Sequence, residues 1–188
     1  AMREHGMDAI FVTDELNQRY LLEYPFTDGL LVITEKEAYM VTDFRYEEEA
    51  KKHADPAFTV VCPQVRTAFI TEVLEKNGVK TVGYENRTMT VAEFDSYKER
   101  FGSFSFVPVG DTIETMRQVK TPEEVKLMQK AQDITDGAFA ELLKYLTPNM
   151  TEIDVALELE YRMRKLGADG LAFDTIAVSG DASALPHG

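Results

Sequence analysis

Short apolar runs alternate with amphipathic segments along the first part of the chain. Runs of this length and composition are typical of buried strands, and they lie at 9–12 (AIFV), 29–43 (GLLVITEKEAYMVTD), 58–62 (FTVVC), 80–85 (KTVGYE) and 104–109 (FSFVPV). A polar turn at 35–37 divides the second run, which predicts a β-hairpin. Strands that alternate with helices and include one antiparallel pair predict an α/β fold, a mixed sheet with flanking helices.

The segments between these strands have helical patterns. They lie at 14–24 (DELNQRYLLEY), 44–54 (FRYEEEAKKHA), 66–78 (RTAFITEVLEKNG) and 90–102 (TVAEFDSYKERFG). In the first of them Leu16, Tyr20 and Leu21 share one helical face, and we expect that face to be buried. Asn77 and Gly78 form a typical helix end.

The pattern changes near Asp111, where a short linking helix at 111–120 is followed by a long one. Thr121 and Glu124 are spaced as a capping box that starts this long helix. Its buried face is predicted from an apolar stripe of Val125, Met128, Ala131, Ile134, Ala138, Leu142 and Leu146. We therefore predict a first domain at 1–112 and a second at 113–188.

A second long helix follows, with Thr151 placed as its cap and Gly167 at its end. Its predicted buried face consists of Val155, Leu159, Met163 and Leu166. The apolar run LAFDTIAVSG at 171–180 predicts a final strand that leads into the loop DASALPHG at 181–188.

Composition excludes several classes of function. Asp and Glu number 33 against 20 Lys and Arg, a formal net charge of −13, so most of the surface would repel nucleic acids and anionic membranes. No apolar run approaches the roughly 20 residues that span a bilayer, and Arg3, Glu4 and Asp8 interrupt any signal-peptide pattern. The single cysteine, Cys62, cannot form an internal disulfide, which favours a reducing compartment such as the cytoplasm.

The residue pattern alone assembles no catalytic centre. The three histidines have no partner at metal-ligand spacing, and the acidic run at 47–49 is typical of a solvated helix face. Asp174 and Asp181 flank the final predicted strand without forming a ligand set. Cys62 lies among apolar neighbours, which favours a small buried side chain over a nucleophile, and no phosphate-binding glycine motif is present.

His187 stands apart because it follows a strand, a loop of small residues and Pro186, which stiffens the chain. A histidine at such a position can donate a hydrogen bond or carry a proton near neutral pH. It can equally be a solvent-exposed residue of a tail, and the residue pattern leaves both readings open.

Four sequence blocks occur in an order and spacing that resemble prolidase and aminopeptidase P, the creatinase-like "pita-bread" metallopeptidases. The blocks are R-x-V-K-T-P-E-E-V-x-x-M-x-x-A at 117–131, T-E-I-D-V-A at 151–156, L-G-A-D-G-L-A-F-D-T-I-A-V-S-G at 166–180 and A-L-P-H-G at 184–188. The segment D-A-I-F-V-T-D-E-L-N-Q-R-Y-L at 8–21 is similar to their creatinase-type N-terminal domain.

The resemblance implies a creatinase-type mixed-sheet domain followed by the first part of an α+β pita-bread domain. It implies a peptidase that cleaves the bond before proline with two divalent metal ions (Mn, Co or Zn), whose bridging hydroxide attacks the carbonyl. His187 matches a histidine that serves catalysis and substrate binding without ligating metal, and Phe173 and Ile176 match apolar positions that pack. The metal ligands of this family lie downstream of P-H-G, so we expect a fragment that binds no metal and is inactive alone.

Proline-containing peptides are the implied substrates, and a homodimer is the implied assembly. Two alternatives remain. One is a non-catalytic relative used for peptide binding or dimerisation, although a half-built domain would then expose apolar faces. The other is a creatinase-like hydrolase of a non-peptide substrate.

Overall fold

The computed structural model describes residues 2, 5–26 and 28–186 of the chain. They fall into two compact units, Ala1–Val119 and Lys120–Gly188. The linking helix lies inside the first unit, at Thr112–Gln118. The domain boundary placed between residues 112 and 113 from the sequence stays a prediction.

The first unit is built on one six-stranded mixed sheet, as predicted. Its strands are β1 (Ala9–Val12), β2 (Leu30–Thr34), β3 (Ala38–Val41), β4 (Thr59–Val61), β5 (Thr81–Tyr84) and β6 (Ser105–Pro108). The spatial order is β4-β3-β2-β1-β5-β6, with β1 and β3 antiparallel to β2 and the other pairs parallel. The predicted hairpin is confirmed: Thr34 closes its turn by donating its backbone N–H to the carbonyl of Glu37 at 2.8 Å.

Five helices belong to this unit: α1 (Glu15–Leu22), α2 (Glu47–His53), α3 (Arg66–Lys76), α4 (Val91–Arg100) and α5 (Thr112–Gln118). The side chains of successive strand residues point to opposite faces, so the sheet has a core on each side. Ala9 and Phe11 of β1 lie in the core with residues of α3, whereas Ile10 and Val12 lie in the core with residues of α2 and α5. This two-sided burial explains why the strands read as continuous apolar runs.

The predicted buried face of α1 is correct only in part, since Tyr20 and Leu21 are half-buried and pack against the core. Leu16 is exposed, and the helix buries Asn17, Gln18 and Leu22 instead. Gln18 is accommodated because its amide donates to the carbonyl oxygens of Val12 and Gly29, at 2.9 and 3.0 Å. Polar side chains can occupy a core when their hydrogen bonds are made inside the protein.

The second unit contains α6 (Pro122–Tyr145), α7 (Glu152–Lys165) and a 3-10 helix at Gly180–Ala184. Both predicted caps are confirmed, and each is a reciprocal box: Thr121 with Glu124, and Thr151 with Asp154. The predicted apolar stripe of α6 is only partly buried. Ala138 and Leu142 are covered, whereas Val125, Met128 and Leu146 are exposed.

The predicted strand at 171–180 is wrong, since residues 171–179 have no regular secondary structure and Gly180 begins the 3-10 helix. A strand requires a hydrogen-bonded partner. The described part of the second unit contains no strand with which it could pair. Among the described residues, no helix has the length and apolar character needed to cross a bilayer.

Candidate functional site

The candidate site is the segment 171–186, because it leads directly to His187. His187 itself lies outside the described residues, so its predicted role is not tested by the structure. Two side chains of α7 hold the segment. Ser179 donates both its backbone N–H and its hydroxyl to Oε1 of Glu152, at 2.5 and 2.9 Å. Nearer to the start of the segment, the hydroxyl of Thr175 donates to Oε1 of Glu160 at 2.9 Å.

The loop beyond Ser179 has a defined local conformation. Ser179 is the N-cap of the 3-10 helix, and Gly180 follows with a φ of +57°, a left-handed value that glycine adopts without strain. The hydroxyl of Ser183 donates to the carbonyl of Gly180 at 2.6 Å, and the N–H of Leu185 donates to the carbonyl of Ala182 at 3.0 Å. The loop is therefore ordered by its own hydrogen bonds as far as Leu185.

Apolar side chains of the segment are exposed. Phe173 is 76% exposed, Ile176 51% and Leu185 61%, so the expectation that Phe173 and Ile176 pack is not met among the described residues. The polar contacts with α7, and not apolar burial of these side chains, hold this segment.

Arg162 links the two long helices of the second unit. Its guanidinium forms ion pairs with Glu158 on its own helix, at 2.6 Å, and with Glu141 on α6, at 2.9 Å. It also lies over the ring of Tyr145, 5.3 Å from the centroid. Burial would lower the pKa of Arg162, but its hydrogen bonds with the two glutamates outweigh burial and raise that pKa. The helix that carries Glu152 is thus fixed to its neighbour.

The described residues do not form a metal centre. They contain no group of three or more His, Cys, Asp or Glu side chains that could hold an ion, and Asp174 and Asp181 are both exposed. A pair of divalent ions needs several converging oxygen and nitrogen ligands. The donor set described in this chain therefore does not fit two ions. Cys62, expected to be buried, is half-buried and free.

A buried carboxylate in the first unit escaped the sequence analysis. Glu85 is 4% exposed and directly follows β5, beside the end of the parallel strand β1. Its Oε2 accepts from the backbone N–H groups of Thr13 and Asp14, at 2.5 and 2.7 Å, and its Oε1 accepts from the amide of Asn17 at 2.7 Å. Asn17 in turn accepts from Nη1 of Arg117 at 2.9 Å.

Glu152, Glu160 and Glu85 were all missed for the same reason. Their partners lie 27, 15 and 68 or more residues away, so no local pattern marks them. The usable signals were weak: Glu152 stands beside the cap Thr151, and Glu85 is a charge at the end of an apolar run.

Comparison with known proteins adds two family matches. Residues 1–119 match the creatinase/prolidase N-terminal domain, and residues 126–188 match metallopeptidase family M24. Together these matches cover almost the whole chain.

Individual relatives agree with these matches. An uncharacterized peptidase, YqhT, of Bacillus subtilis is 36% identical over 97% of this chain, and the Xaa-Pro dipeptidase of Pyrococcus furiosus is 32% identical over 100% of it. The solved structure of the Xaa-Pro dipeptidase from Bacillus anthracis matches all of this chain with a TM-score of 0.93 and 36% identity. The chain covers only 52% of each of the two sequence relatives and 53% of that structure, about half of their length.

Proposed function

The chain belongs to the creatinase/prolidase family of M24 metallopeptidases, and from this premise we propose that it is part of an Xaa-Pro peptidase. The proposed reaction is the hydrolysis of the peptide bond that precedes proline. Because the relatives are about twice as long as this chain, we assign the activity to a polypeptide of their length. The observation that carries the proposal is the family match of both parts of the chain in the order found in the named dipeptidases.

In this proposal His187 is the residue of the chain that acts on the substrate. An imidazole beside the scissile bond can donate a hydrogen bond to the carbonyl oxygen, on which negative charge develops in the tetrahedral intermediate. The position of His187 directly after a loop anchored on α7 supports this role. His187 would therefore bind the substrate and stabilise the transition state without being a metal ligand.

The metal ions belong to the longer polypeptide in this proposal. Two divalent ions (Mn, Co or Zn) supply an activated hydroxide when bound. The described residues do not fit such a pair, so we derive no step through a metal in this chain. We expect the 188-residue chain by itself to bind no metal pair and to have no peptidase activity. The homodimer and the cytoplasmic location implied by the resemblance are also part of the proposal.

The test compares two proteins in one assay. The 188-residue chain and the protein of full family length are incubated with Mn²⁺ and an Xaa-Pro dipeptide, with the matching Xaa-Ala dipeptide as the control substrate. We expect turnover only from the longer protein, and only before proline. Equal turnover by the 188-residue chain, or equal rates on both substrates, would show the proposal to be wrong. An Xaa-Pro tripeptide distinguishes aminopeptidase from dipeptidase activity.

A further inference from the structure

We infer that Glu152 is a positioning residue that holds the loop before His187 in the geometry required for the reaction, an inference that rests on the proposed function. The role differs from that of His187, since Glu152 acts through Ser179 and does not contact the substrate.

The contact is specific in its geometry. A single oxygen, Oε1 of Glu152, accepts two hydrogen bonds from Ser179, one from the backbone and one from the side chain. The pair fixes the backbone position of Ser179 and its side-chain rotamer together. Hydrogen bonds to an ionised carboxylate are stronger than those between neutral groups. Glu152 is fixed in place because it is the first residue of α7 and lies inside the capping box that Thr151 and Asp154 form.

A second anchor, the hydrogen bond from Thr175 to Glu160, defines the direction in which the segment runs along α7. Glu160 lies eight residues after Glu152 on α7, a distance of about 12 Å at 1.5 Å per residue. Thr175 and Ser179 are four residues apart, and an extended chain of that length spans about 13 Å. The two spans match, and Ser179 is itself extended, with φ −136° and ψ 170°. The segment therefore runs back along α7 in extended form between two carboxylates, although no strand of the described residues pairs with it.

A displacement of Ser179 also displaces the turn that precedes His187 in the chain. Ser179 is the N-cap of the 3-10 helix at Gly180–Ala184, and only Leu185 and Pro186 separate that helix from His187. Pro186 also restricts the backbone of Leu185 to extended values, and ψ of Leu185 is 140°. A shift of Ser179 thus moves the whole turn. A misplacement of a reacting group by 1 Å can cost about 100-fold in rate.

The first experiment measures the anchor itself in the 188-residue chain by amide hydrogen exchange. Glu152→Ala should raise the exchange rate of the Ser179 amide at least tenfold, and Glu152→Gln, which keeps a neutral acceptor, should give an intermediate value. Glu123→Ala is the matched control, because Glu123 is an exposed acid in the first turn of α6 and its loss weakens only the helix terminus. Thr175→Val should loosen the other end of the segment and leave Ser179 less affected.

The second experiment measures function in the protein of full family length. Glu152→Ala should lower kcat on an Xaa-Pro dipeptide about tenfold, with KM within twofold of wild type and metal content unchanged. Glu152→Gln should recover part of the loss, and Glu123→Ala should match wild type. If Glu152 had a purely structural role, its variants would contain less folded enzyme, but kcat per folded molecule would not fall in the order wild type, Glu152→Gln, Glu152→Ala.

Two results would overturn the inference: an unchanged exchange rate of Ser179 in Glu152→Ala, or a faster exchange with wild-type kcat. If the wild-type long protein does not hydrolyse Xaa-Pro bonds at all, the proposed function fails. The exchange measurement then still decides whether Glu152 anchors the loop. The positioning role in catalysis is wrong in that case, because there is no reaction for which the loop is positioned.

Discussion

Removal of the Glu85 carboxylate tests the hydrogen-bond network that joins the two parallel strands β1 and β5 to α1. Glu85→Ala leaves four donors without their acceptor: the backbone N–H groups of Thr13 and Asp14, the hydroxyl of Thr13 and the amide of Asn17. Asn17 is fully buried, at 1% exposure, whereas Thr13 and Asp14 are half-buried and can be reached by water from one side. The free-energy cost of losing the acceptor is therefore largest at Asn17.

The expected cost follows from these exposures. A buried donor without an acceptor costs about 1–3 kcal/mol, and a partly hydrated donor costs less. We expect Glu85→Ala to lower the free energy of unfolding by about 3 kcal/mol. Glu85→Gln keeps one acceptor oxygen but turns an NH₂ group toward a donor. That donor is either the amide of Asn17 or the backbone N–H groups of Thr13 and Asp14. Asn17 cannot simply flip its amide, because its oxygen already accepts from Arg117. We expect a loss of about 1–2 kcal/mol for this variant.

Urea unfolding of the 188-residue chain, followed by circular dichroism, measures both variants. Glu99→Ala is the control, since Glu99 is an exposed residue of α4 and its loss should change stability by less than about 0.5 kcal/mol. A loss below 1 kcal/mol in Glu85→Ala, or a Gln variant as damaged as the Ala variant, would refute the reasoning. The first result would mean that water replaces the carboxylate, and the second that the charge and not the acceptor geometry is decisive.

Two further predictions concern the second unit. Two hydrogen bonds from Thr151 lower the pKa of Asp154, and the one from the hydroxyl contributes more than the one from the backbone N–H. Because the pKa is lower in the folded state, the stabilisation by this cap is complete above the unfolded pKa. It is lost as the pH falls through the folded pKa. Carboxyl titration by NMR should show this low pKa and its return toward 3.8 in Thr151→Ala, whereas an unchanged value would rule out the hydroxyl as its cause. In the protein of full family length, His187→Ala should lower kcat by about 10²–10³-fold with metal content unchanged, and a parallel loss of metal would contradict its assignment as a residue that does not ligate metal.

Features with local determinants could be predicted from the sequence. The hairpin at 35–37, the capping box at Thr121 and the cap at Thr151 were correct because the interacting groups lie three residues apart in the chain. The mixed sheet followed from the apolar runs, whose two-sided burial leaves a clear compositional pattern.

Features with distant partners could not be predicted. The predicted face of α1 was only partly correct, because Asn17 and Gln18 are buried through hydrogen bonds to Glu85, Val12 and Gly29, which apolar periodicity does not predict. The strand at 171–180 was wrong because an apolar run specifies β structure only where a partner strand is available. For the candidate site, the sequence indicated the loop and His187 through a family resemblance, whereas the place of Glu152 beside the cap Thr151 was too weak a signal to predict the anchor.

The magnitude of the anchor separates two ways in which it could affect turnover. The two hydrogen bonds of Ser179 to α7 are exposed and that of Thr175 is partly buried. At about 1 kcal/mol each, the three bonds keep the segment open for less than about 1% of the time. Loss of Glu152 removes two of them, and the open fraction rises to about one sixth, which is a large change for hydrogen exchange. If catalysis depended only on the closed fraction, kcat would fall by about one sixth as well. A tenfold fall therefore requires that the remaining closed molecules hold the loop in a shifted position. The rise in the exchange rate of Ser179, compared with the fall in kcat, thus distinguishes a loop that merely opens from a loop whose position determines the rate.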